Sequence, residues 1–339
     1  MTSPIASQSK LPVTFLFCVE SGYIEGQILV AIESLRRFGG RLANSSILVI
    51  TPRYGPSLTR ETLRKIANLG AKYVRRKQRN TCDWYVYMNK AWAADLGEEL
   101  AETEQIIWLD SDVLVVAEPN LLVLRPGEDF ACAAIDKNVG SSGPDDPYEP
   151  YWEALSAYYG VPIDGLPWVE TERDHQRVRF RLHSGVYSFR KNSGLGSAFA
   201  AGLESMLASR IAFSRKLPFP GDDVALAFAV VQLKLSWRLL PMYCNYEMTP
   251  TSNFYRHSQA RTAQILHYHH ALSSPEGASW FLRELDTFRP DVADWLRPHT
   301  PLLRRSGGIH RLILRRLLRT VRARRQALHE ASCRILVQE

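Results

Sequence analysis

Apolar residues in the first 115 positions alternate between two spacings. Near-continuous apolar runs, short enough to be buried strands, alternate with segments in which apolar residues recur every three or four positions, as on one face of a helix. The strand-like runs are residues 13–19, 45–51, 73–74 and 106–109, and the helix-like segments are residues 28–35, 58–69 and 88–96. Regular alternation of strands and helices predicts an α/β fold with a mostly parallel sheet, right-handed crossovers and flanking helices.

The pattern becomes irregular after residue 135. Residues 138–176 combine Gly and Pro with many aromatic residues. A long irregular segment inside a compact domain is usually functional or disordered, and its aromatic residues favour function. A surface lobe with a small core of its own is the alternative. Beyond this segment we predict strands at residues 180–189 and 265–268 and helices at residues 195–207 and 222–232.

Positive charge is concentrated near the C-terminal end of the sequence. The formal net charge of the 339 residues is +7, but residues 301–339 contain ten Arg and two Glu, whereas the other 300 residues contain 32 basic and 33 acidic side chains. A nearly neutral domain argues against nucleic-acid binding, and a cationic tail suits an anionic surface. We predict one domain over residues 11–298, with an insertion at 138–178, an N-terminal tail at 1–10 and a basic tail at 299–339.

The basic tail predicts an amphipathic helix. On a helical wheel, Ile309, Leu312, Ile313, Leu317 and Val321 lie on one side, and Arg311, Arg315, Arg319 and Arg322 lie on the other. Such a helix suits an anionic membrane interface, where each cationic side chain contributes roughly 1 kcal/mol. The alternative is a terminal helix that packs on the domain and keeps its Arg face in water.

Cysteine usage and hydropathy indicate a compartment. The cysteines (Cys18, Cys82, Cys132, Cys244 and Cys333) are odd in number and widely spaced, without a C-x-x-C pair, which favours reduced thiols in the cytoplasm. No apolar run reaches the length of a transmembrane helix. Together with the basic tail, these features predict a cytoplasmic protein held peripherally at the inner face of the membrane.

Two aspartates directly follow the apolar run at residues 106–109. Asp110 and Asp112 would therefore lie beyond the carboxyl end of a buried strand, where ligands bind in open parallel sheets. Two carboxylates at such a position are costly to bury unless a cation compensates them. Hard oxygen ligands suit Mg²⁺ or Mn²⁺. A solvated turn after the strand is the alternative.

A second acidic pair and a histidine cluster add candidate site residues. Asp222 and Asp223 follow Gly221 and open an apolar helix. One of these acids can cap the helix, which leaves the other for a substrate. In the segment ILHYHH, His267 and His269 share one face of a predicted strand, and one of them could complete a metal site. A single histidine satisfied by backbone groups is the more common situation.

Six motifs, in order over residues 13–275, resemble glycosyltransferases of the GT-A fold, and in particular family 8, which contains glycogenin and the bacterial lipooligosaccharide galactosyltransferases. The motifs are VTFLFCVESGYIEGQILVAIESLRR, MNKAW, LDSDVLV, LHSGVYSFRK, GDDVALA and ILHYH. The resemblance implies a single Rossmann-like sheet and transfer of a hexose from a nucleotide-sugar, expected to be a UDP-sugar, with retention of anomeric configuration. It also implies that Mn²⁺ or Mg²⁺ assists departure of the diphosphate. The acceptor would be a glycan, such as a lipid-linked glycan or lipooligosaccharide, and the aromatic insertion would face it.

The resemblance also implies roles for individual residues. Asp110, Asp112 and His267 would bind the metal ion, and Asp222 and Asp223 would contact the transferred sugar. The nucleotide-sugar would be held by Cys18, Val19, Glu20, Tyr23, Lys90, Ser111, His183, Ser184 and Gly185.

Three positions depart from the family pattern. His183 replaces the usual Asn, Asp223 replaces the usual Gln, and Ser274 stands where a Lys usually precedes a Pro. A carboxylate at position 223 could stabilise an oxocarbenium-like centre, or attack it, better than an amide. The contact that the missing Lys makes with the diphosphate would be absent or supplied elsewhere.

Two other functions fit part of the pattern. A haloacid-dehalogenase-type phosphatase would use Asp110 as nucleophile and Asp112 as acid/base. Such enzymes carry this motif after the first strand of the domain, however, and Lys90 would have no role. A catalytically inactive, membrane-associated adaptor on a transferase fold is the non-enzymatic alternative, and the intact acidic residues count against it.

Overall fold

The computed structural model describes residues 13–78, 82–212, 221–302 and 308–336, so the predicted N-terminal tail at residues 1–10 lies outside them. The helices are α1 (Ile24–Phe38), α2 (Arg60–Asn68), α3 (Met88–Leu100), α4 (Glu149–Tyr159), α5 (Leu195–Ser209), α6 (Asp222–Gln232), α7 (His257–Ala260), α8 (Pro275–Asp286), α9 (Pro290–Leu296) and α10 (Ile309–Ala331). The strands are β1 (Val13–Cys18), β2 (Ser46–Thr51), β3 (Lys72–Arg75), β4 (Gln105–Leu109), β5 (Val113–Val115), β6 (Phe130–Ala134), β7 (Trp168–Glu170), β8 (Arg177–Arg179), β9 (Leu182–Arg190), β10 (Ile211–Ala212), β11 (Trp237–Leu240), β12 (Tyr246–Glu247), β13 (Ile265–His267) and β14 (Arg334–Ile335).

A seven-stranded sheet of order β11-β6-β9-β4-β1-β2-β3 forms the centre of the fold. β1 pairs in parallel with β2 and β4, β2 with β3, and β11 with β6, whereas β9 runs antiparallel to β4 and β6. All five residues of β4 are buried, as expected of a central strand that helices cover on both faces. The predicted α/β class, with a mostly parallel sheet flanked by helices and a C-terminal basic helix, is confirmed.

Helices cover both faces of this sheet. One apolar cluster includes residues of α1 and α2, and the other includes residues of α3, α4, α5 and α6. The irregular segment contributes its rings to the second cluster, since Tyr151 and Trp152 of α4 are buried there and Trp152 stacks on Phe228 of α6. Its aromatic residues therefore extend the main core instead of building a separate small one.

Helix α3 is longer than the predicted segment 88–96 and continues past Gly97. A Cβ atom at position 97 would lie 2.3 Å from Cδ2 of Leu16 on β1. Gly97 therefore permits close packing of the helix on the sheet, and the helix continues to Leu100. A glycine near a helix end has two possible uses, a C-cap or a close approach, and the sequence pattern alone does not separate them.

A small three-stranded sheet connects two predicted site segments. Its order is β12-β13-β5, with β13 parallel to β12 and antiparallel to β5. The register pairs His267 with Val113, and the amide of Tyr268 donates to the carbonyl of Asp112 at 3.0 Å. This pairing places the histidine segment directly beside Asp112.

Helix α10 packs on the domain through its arginine side. Arg315 Nη2 donates to Ser21 Oγ at 2.9 Å, Arg322 Nη2 donates to the carbonyl of Tyr54 at 2.6 Å, and Arg325 Nη1 lies 2.7 Å from Asp83 Oδ1. Beyond α10, β14 pairs in parallel with β10. The alternative of a docked helix with its Arg face in water is therefore half correct, because the helix is docked but several arginines face the domain.

The apolar side of α10 faces outward. Ile309 is 76% exposed, Leu317 60% and Leu328 65%, and Leu312, Ile313 and Val321 are also exposed. Within the described residues, no helix combines the length and apolar character needed to cross a membrane.

One buried ion pair should hold the irregular segment on the domain. Arg179 of β8 donates through Nε to Glu149 at the start of α4 at 2.9 Å, and both side chains are only 4% exposed. We expect Arg179→Ala to lower the free energy of unfolding by about 3–5 kcal/mol, because it leaves Glu149 as an uncompensated buried charge. Chemical denaturation followed by circular dichroism measures this change. Arg177→Ala, at an exposed position of the same strand, is the control, and equal midpoints for the two variants would contradict the prediction.

Candidate active site

A cleft of about 420 Å³ opens at the carboxyl ends of β1 and β4. The predicted site residues that line it are Cys18, Glu20, Lys90, Asp110, Ser111, Asp112, His183, Ser184, Asp222, Asp223 and His267. Val19 is instead buried in the core, and Tyr23 lies at the N-cap of α1. Gly185 supports the cleft indirectly, because a Cβ atom there would lie 2.8 Å from His267 and 2.9 Å from His183.

The backbone around β4 aims Asp110 and Asp112 into the cleft. β4 ends at Leu109, and the amide of Asp110 donates to the carbonyl of Gly185 on β9 at 2.8 Å. The carbonyl of Asp112 accepts from Tyr268 in the small sheet. The two aspartates are thus held between the large sheet and the small one, at the strand ends where the sequence places them.

Asp112, His267 and His269 form a compact group. Asp112 Oδ1 lies 3.2 Å from His267 Nε2, and Oδ2 lies 3.8 Å from His269 Nδ1. One ligand atom from each residue falls within 4.8 Å of the others. Burial opposes ionisation of Asp112, but His267 and His269 outweigh it and hold the pKa of this carboxyl below its ordinary value. Burial and His267 lower the pKa of His269 to about 3, so its imidazole is neutral near neutral pH.

This group is suited to a divalent cation. His267 Nδ1 lies 3.0 Å from Asn245 Oδ1, and when Nδ1 donates to that oxygen, Nε2 presents its lone pair to the carboxylate of Asp112. Two facing acceptors require a proton or a metal ion between them. A carboxylate with two imidazoles favours a transition ion such as Mn²⁺ over Mg²⁺, which prefers oxygen ligands. Asn245 then has the orienting role typical of the partner of a ligating histidine.

Asp110 has different partners from those of Asp112. Its Oδ2 lies 2.8 Å from Lys90 Nζ, and its Oδ1 accepts from Trp108 Nε1 at 3.0 Å. The role of Asp110 as a metal ligand therefore stays a prediction, whereas the compact group also includes His269, which the predicted ligand set did not contain.

Lys90 links the two acidic pairs. Its ammonium also lies 3.3 Å from Asp222 Oδ2, which accepts from Ser184 Oγ at 2.6 Å. Burial would favour the neutral amine, but Asp110 and Asp222 hold the pKa of Lys90 well above its ordinary value. A permanent positive charge therefore lies between the two carboxylates at the centre of the cleft.

Asp223 is paired with an arginine that the sequence did not single out. Arg181 Nε donates to Asp223 Oδ2 at 2.7 Å, and both side chains are buried. Burial raises the pKa of Asp223, and Arg181 opposes this effect. Arg181 follows Arg177 and Arg179 in the alternating segment RVRFRL, so the local sequence does not distinguish it from the other two arginines.

The departures at positions 183 and 274 have separate explanations. Burial lowers the pKa of His183 well below its ordinary value, so its imidazole is neutral, and its Nδ1 accepts from the amide of Gly185 at 3.0 Å. Ser274 caps α8, with its hydroxyl oxygen accepting from the amide of Gly277 at 3.1 Å. At position 274 the chain has a helix cap where the family pattern has a cation.

Residues 15–234 match the sequence family described as the Rhodobacterales glycosyltransferase domain. The chain belongs to this family. The match extends from β1 through α6, and so includes both acidic pairs and Lys90 of the cleft. Membership in a glycosyltransferase family decides against the phosphatase alternative, whereas the specific assignment to family 8 stays a prediction.

Solved glycosyltransferase structures resemble the chain at low identity. The apo WbbM bifunctional glycosyltransferase is 12% identical with a TM-score of 0.48, and the match covers 87% of this chain and 52% of WbbM, about half its length. The galactosyltransferase LgtC, in complex with donor and acceptor sugar analogues, is 13% identical with a TM-score of 0.49, covering 84% of this chain and 99% of LgtC. Apo mouse xyloside xylosyltransferase 1 is 13% identical with a TM-score of 0.43, and the match covers 76% of this chain and 96% of that enzyme. A comparison with curated proteins finds no match. At these identities and TM-scores, the similarities carry no information about the donor or the acceptor.

We expect Mn²⁺ binding to require His269 as well as Asp112 and His267. Removing one ligand should weaken the affinity at least as much as loss of an orienting partner does, about 10- to 100-fold. His269→Ala is compared with His270→Ala, which alters a neighbouring histidine that lines the same cleft but is not part of the group. Titration of Mn²⁺, followed by electron paramagnetic resonance, measures the two affinities. Equal losses in the two variants, or none in His269→Ala, would contradict this ligand set.

Proposed function

We propose that this protein transfers a hexose from a UDP-sugar to a glycan acceptor at an anionic membrane surface, with retention of anomeric configuration. The observation that carries the proposal is the cleft itself. In a chain of a glycosyltransferase family, it gathers a carboxylate–histidine group, the half-buried Lys90 and a second acidic pair.

The position of the cleft supports nucleotide-sugar binding. β1 lies between β2 and β4, because the chain continues from β1 to β2 and β3 on one side and then returns through α3 to β4 on the other side. The crevice beyond the carboxyl ends of the strands at such a switch point is the usual ligand site of open α/β sheets. The loop after β1, with Glu20, and the start of α3, with Lys90, border this crevice.

A divalent ion, which we propose to be Mn²⁺, would be held by Asp112, His267 and His269. When bound, it would supply Lewis-acid stabilisation of the negative charge that develops on the departing diphosphate. Lys90 is placed to bind phosphate oxygens with a second positive charge. Its two carboxylate partners, Asp110 and Asp222, hold the ammonium in position before the donor arrives.

The second acidic pair is proposed to hold the transferred sugar. Asp222 and Asp223 line the cleft, and carboxylate oxygens accept hydrogen bonds from sugar hydroxyls. The pairing of Asp223 with Arg181 restrains this carboxylate and reduces its free charge. A restrained carboxylate suits electrostatic stabilisation of an oxocarbenium-like centre better than covalent attack on it.

Membrane attachment would use the outward side of α10. Exposed apolar residues on one helix mark an interaction surface. On α10 the exposed Ile313 and Leu317 lie beside the exposed Arg316 and Arg324, a combination that suits an anionic lipid surface. We propose a cytoplasmic protein held at the inner face of the membrane, where a lipid-linked glycan or lipooligosaccharide would be the acceptor.

Donor binding gives the first test of the enzymatic proposal. We expect wild-type protein to bind UDP tightly only with Mn²⁺, and Asp112→Asn to lose at least about 100-fold in affinity, since it removes a charged ligand of the ion. Calorimetry measures binding, and release of sugar from UDP-galactose and UDP-glucose without acceptor measures turnover. Asp145→Asn, which changes an exposed acid in the irregular segment, should behave as wild type. UDP binding that ignores the metal would overturn the proposal, and binding without any turnover would favour the adaptor alternative.

Membrane binding is tested separately by co-sedimentation with vesicles. We expect wild-type protein to sediment with phosphatidylglycerol vesicles and not with phosphatidylcholine vesicles. Ile313→Asp with Leu317→Asp should abolish sedimentation, because it places two charges on the inserting side of the helix. Ala67→Asp with Asn68→Asp adds the same charge at exposed positions at the end of α2 and should still sediment. Equal sedimentation of the two double variants would show that the apolar side of α10 does not meet the lipid.

A further inference from the structure

A second cavity, of about 350 Å³, lies between α10 and the carboxyl ends of β1 and β2. Its inner wall includes Glu20 from the loop after β1 and Trp84 from the segment before α3. Its outer wall is α10, through side chains that include Arg319 and Gln326. Glu20 also lines the cleft described above, as does Val86, so the two cavities adjoin.

We infer that α10 forms one wall of a nucleoside pocket, so that the C-terminal helix is part of the donor site. This inference rests on the proposed function, in which the diphosphate and the sugar occupy the cleft at β1 and β4. The nucleoside of the same donor must then extend into a space next to the diphosphate. Beyond the loop after β1, the adjoining cavity provides that space at the ends of β1 and β2, on the same edge of the sheet.

The way in which α10 is attached supports this role. Its arginines bind the loops that border the cavity: Arg315 binds Ser21 after β1, and Arg322 binds the carbonyl of Tyr54 after β2. The pairing of β14 with β10 holds the chain on the domain beyond the helix. A helix bound at these loops is positioned to contact a nucleoside that lies between them.

The chemistry of the walls favours a base with carbonyl oxygens. Glu20 is neutralised by Arg53, whose Nε and Nη2 lie 2.7 and 2.6 Å from its carboxylate oxygens. The remaining charged lining residues are Arg315, Arg319 and Arg322 of α10. Guanidinium groups only donate hydrogen bonds, so they match the two carbonyl oxygens of uracil and conflict with the amino group of adenine or cytosine. Trp84 adds an aromatic surface at the inner wall.

The test separates the nucleoside from the diphosphate. Binding of UDP and of inorganic pyrophosphate, each with Mn²⁺, is measured for the full chain and for Arg319→Ala with Gln326→Ala. We expect this variant to bind UDP about tenfold more weakly or worse, which corresponds to about 1.4 kcal/mol, and to bind pyrophosphate as wild type does. Arg316→Ala with Thr320→Ala is the matched control, because it removes one arginine and one polar side chain from exposed positions of the same helix outside the cavity lining.

The other possible results of these binding measurements distinguish failure of the inference from failure of the proposed function. Unchanged UDP affinity in the cavity variant, or equal weakening of UDP and pyrophosphate, overturns the inference and leaves the proposed function intact. Wild-type protein that binds UDP no tighter than pyrophosphate also overturns it. Wild-type protein that binds neither compound overturns the proposed function, and the inference with it. Hydrogen exchange adds an independent readout, since UDP, and not pyrophosphate, should slow exchange of the backbone amides of α10.

Discussion

The crowding of four carboxylates, two buried and two half-buried, at one edge of the sheet is the constraint on which the rest of the site depends. Isolated charges in such a position would be too costly, so each must be neutralised where it stands. Lys90 forms ion pairs with Asp110 and Asp222, and Arg181 forms an ion pair with Asp223. Two histidines face Asp112. Three of the four carboxylates therefore have a side-chain cation as partner. Asp112 has only imidazoles, which is the physical reason for proposing that a metal ion binds at this carboxylate.

Much of the fold and the main parts of the site could be predicted from the order of local patterns. Apolar runs located β1, β2 and β4, and the Asp pairs were visible because they follow an apolar run or open an apolar helix. Lys90 was named only through the resemblance of MNKAW to a family motif. Residues that act through tertiary pairing were not visible. Asn245 lies 22 residues from His267, and nothing local marks it as the partner of that histidine. Arg181 reaches Asp223 only because the residues just before β9 and the start of α6 meet at the cleft.

Helix α10 shows a different limit of sequence patterns. The helical wheel correctly separates an apolar side from an arginine side, but amphipathicity does not say which side a helix buries. A polar side is expected to face water, yet here carbonyl and carboxylate groups of the domain accept hydrogen bonds from Arg311, Arg322 and Arg325. Arg has a long apolar stem and five hydrogen-bond donors. An arginine-rich helix face can therefore pack on a domain even though its composition is typical of a solvent-exposed surface.

The attachment of α10 has a practical consequence for handling the protein. A basic, amphipathic C-terminal segment invites truncation to improve solubility. Here truncation would remove β14, the strand that pairs with β10. It would also expose the ring of Trp84, which packs against His329 with ring centroids 4.6 Å apart. An open strand edge and a bare aromatic ring both promote self-association. The shortened protein would therefore lose the exposed apolar side of α10 but gain a different surface that promotes self-association.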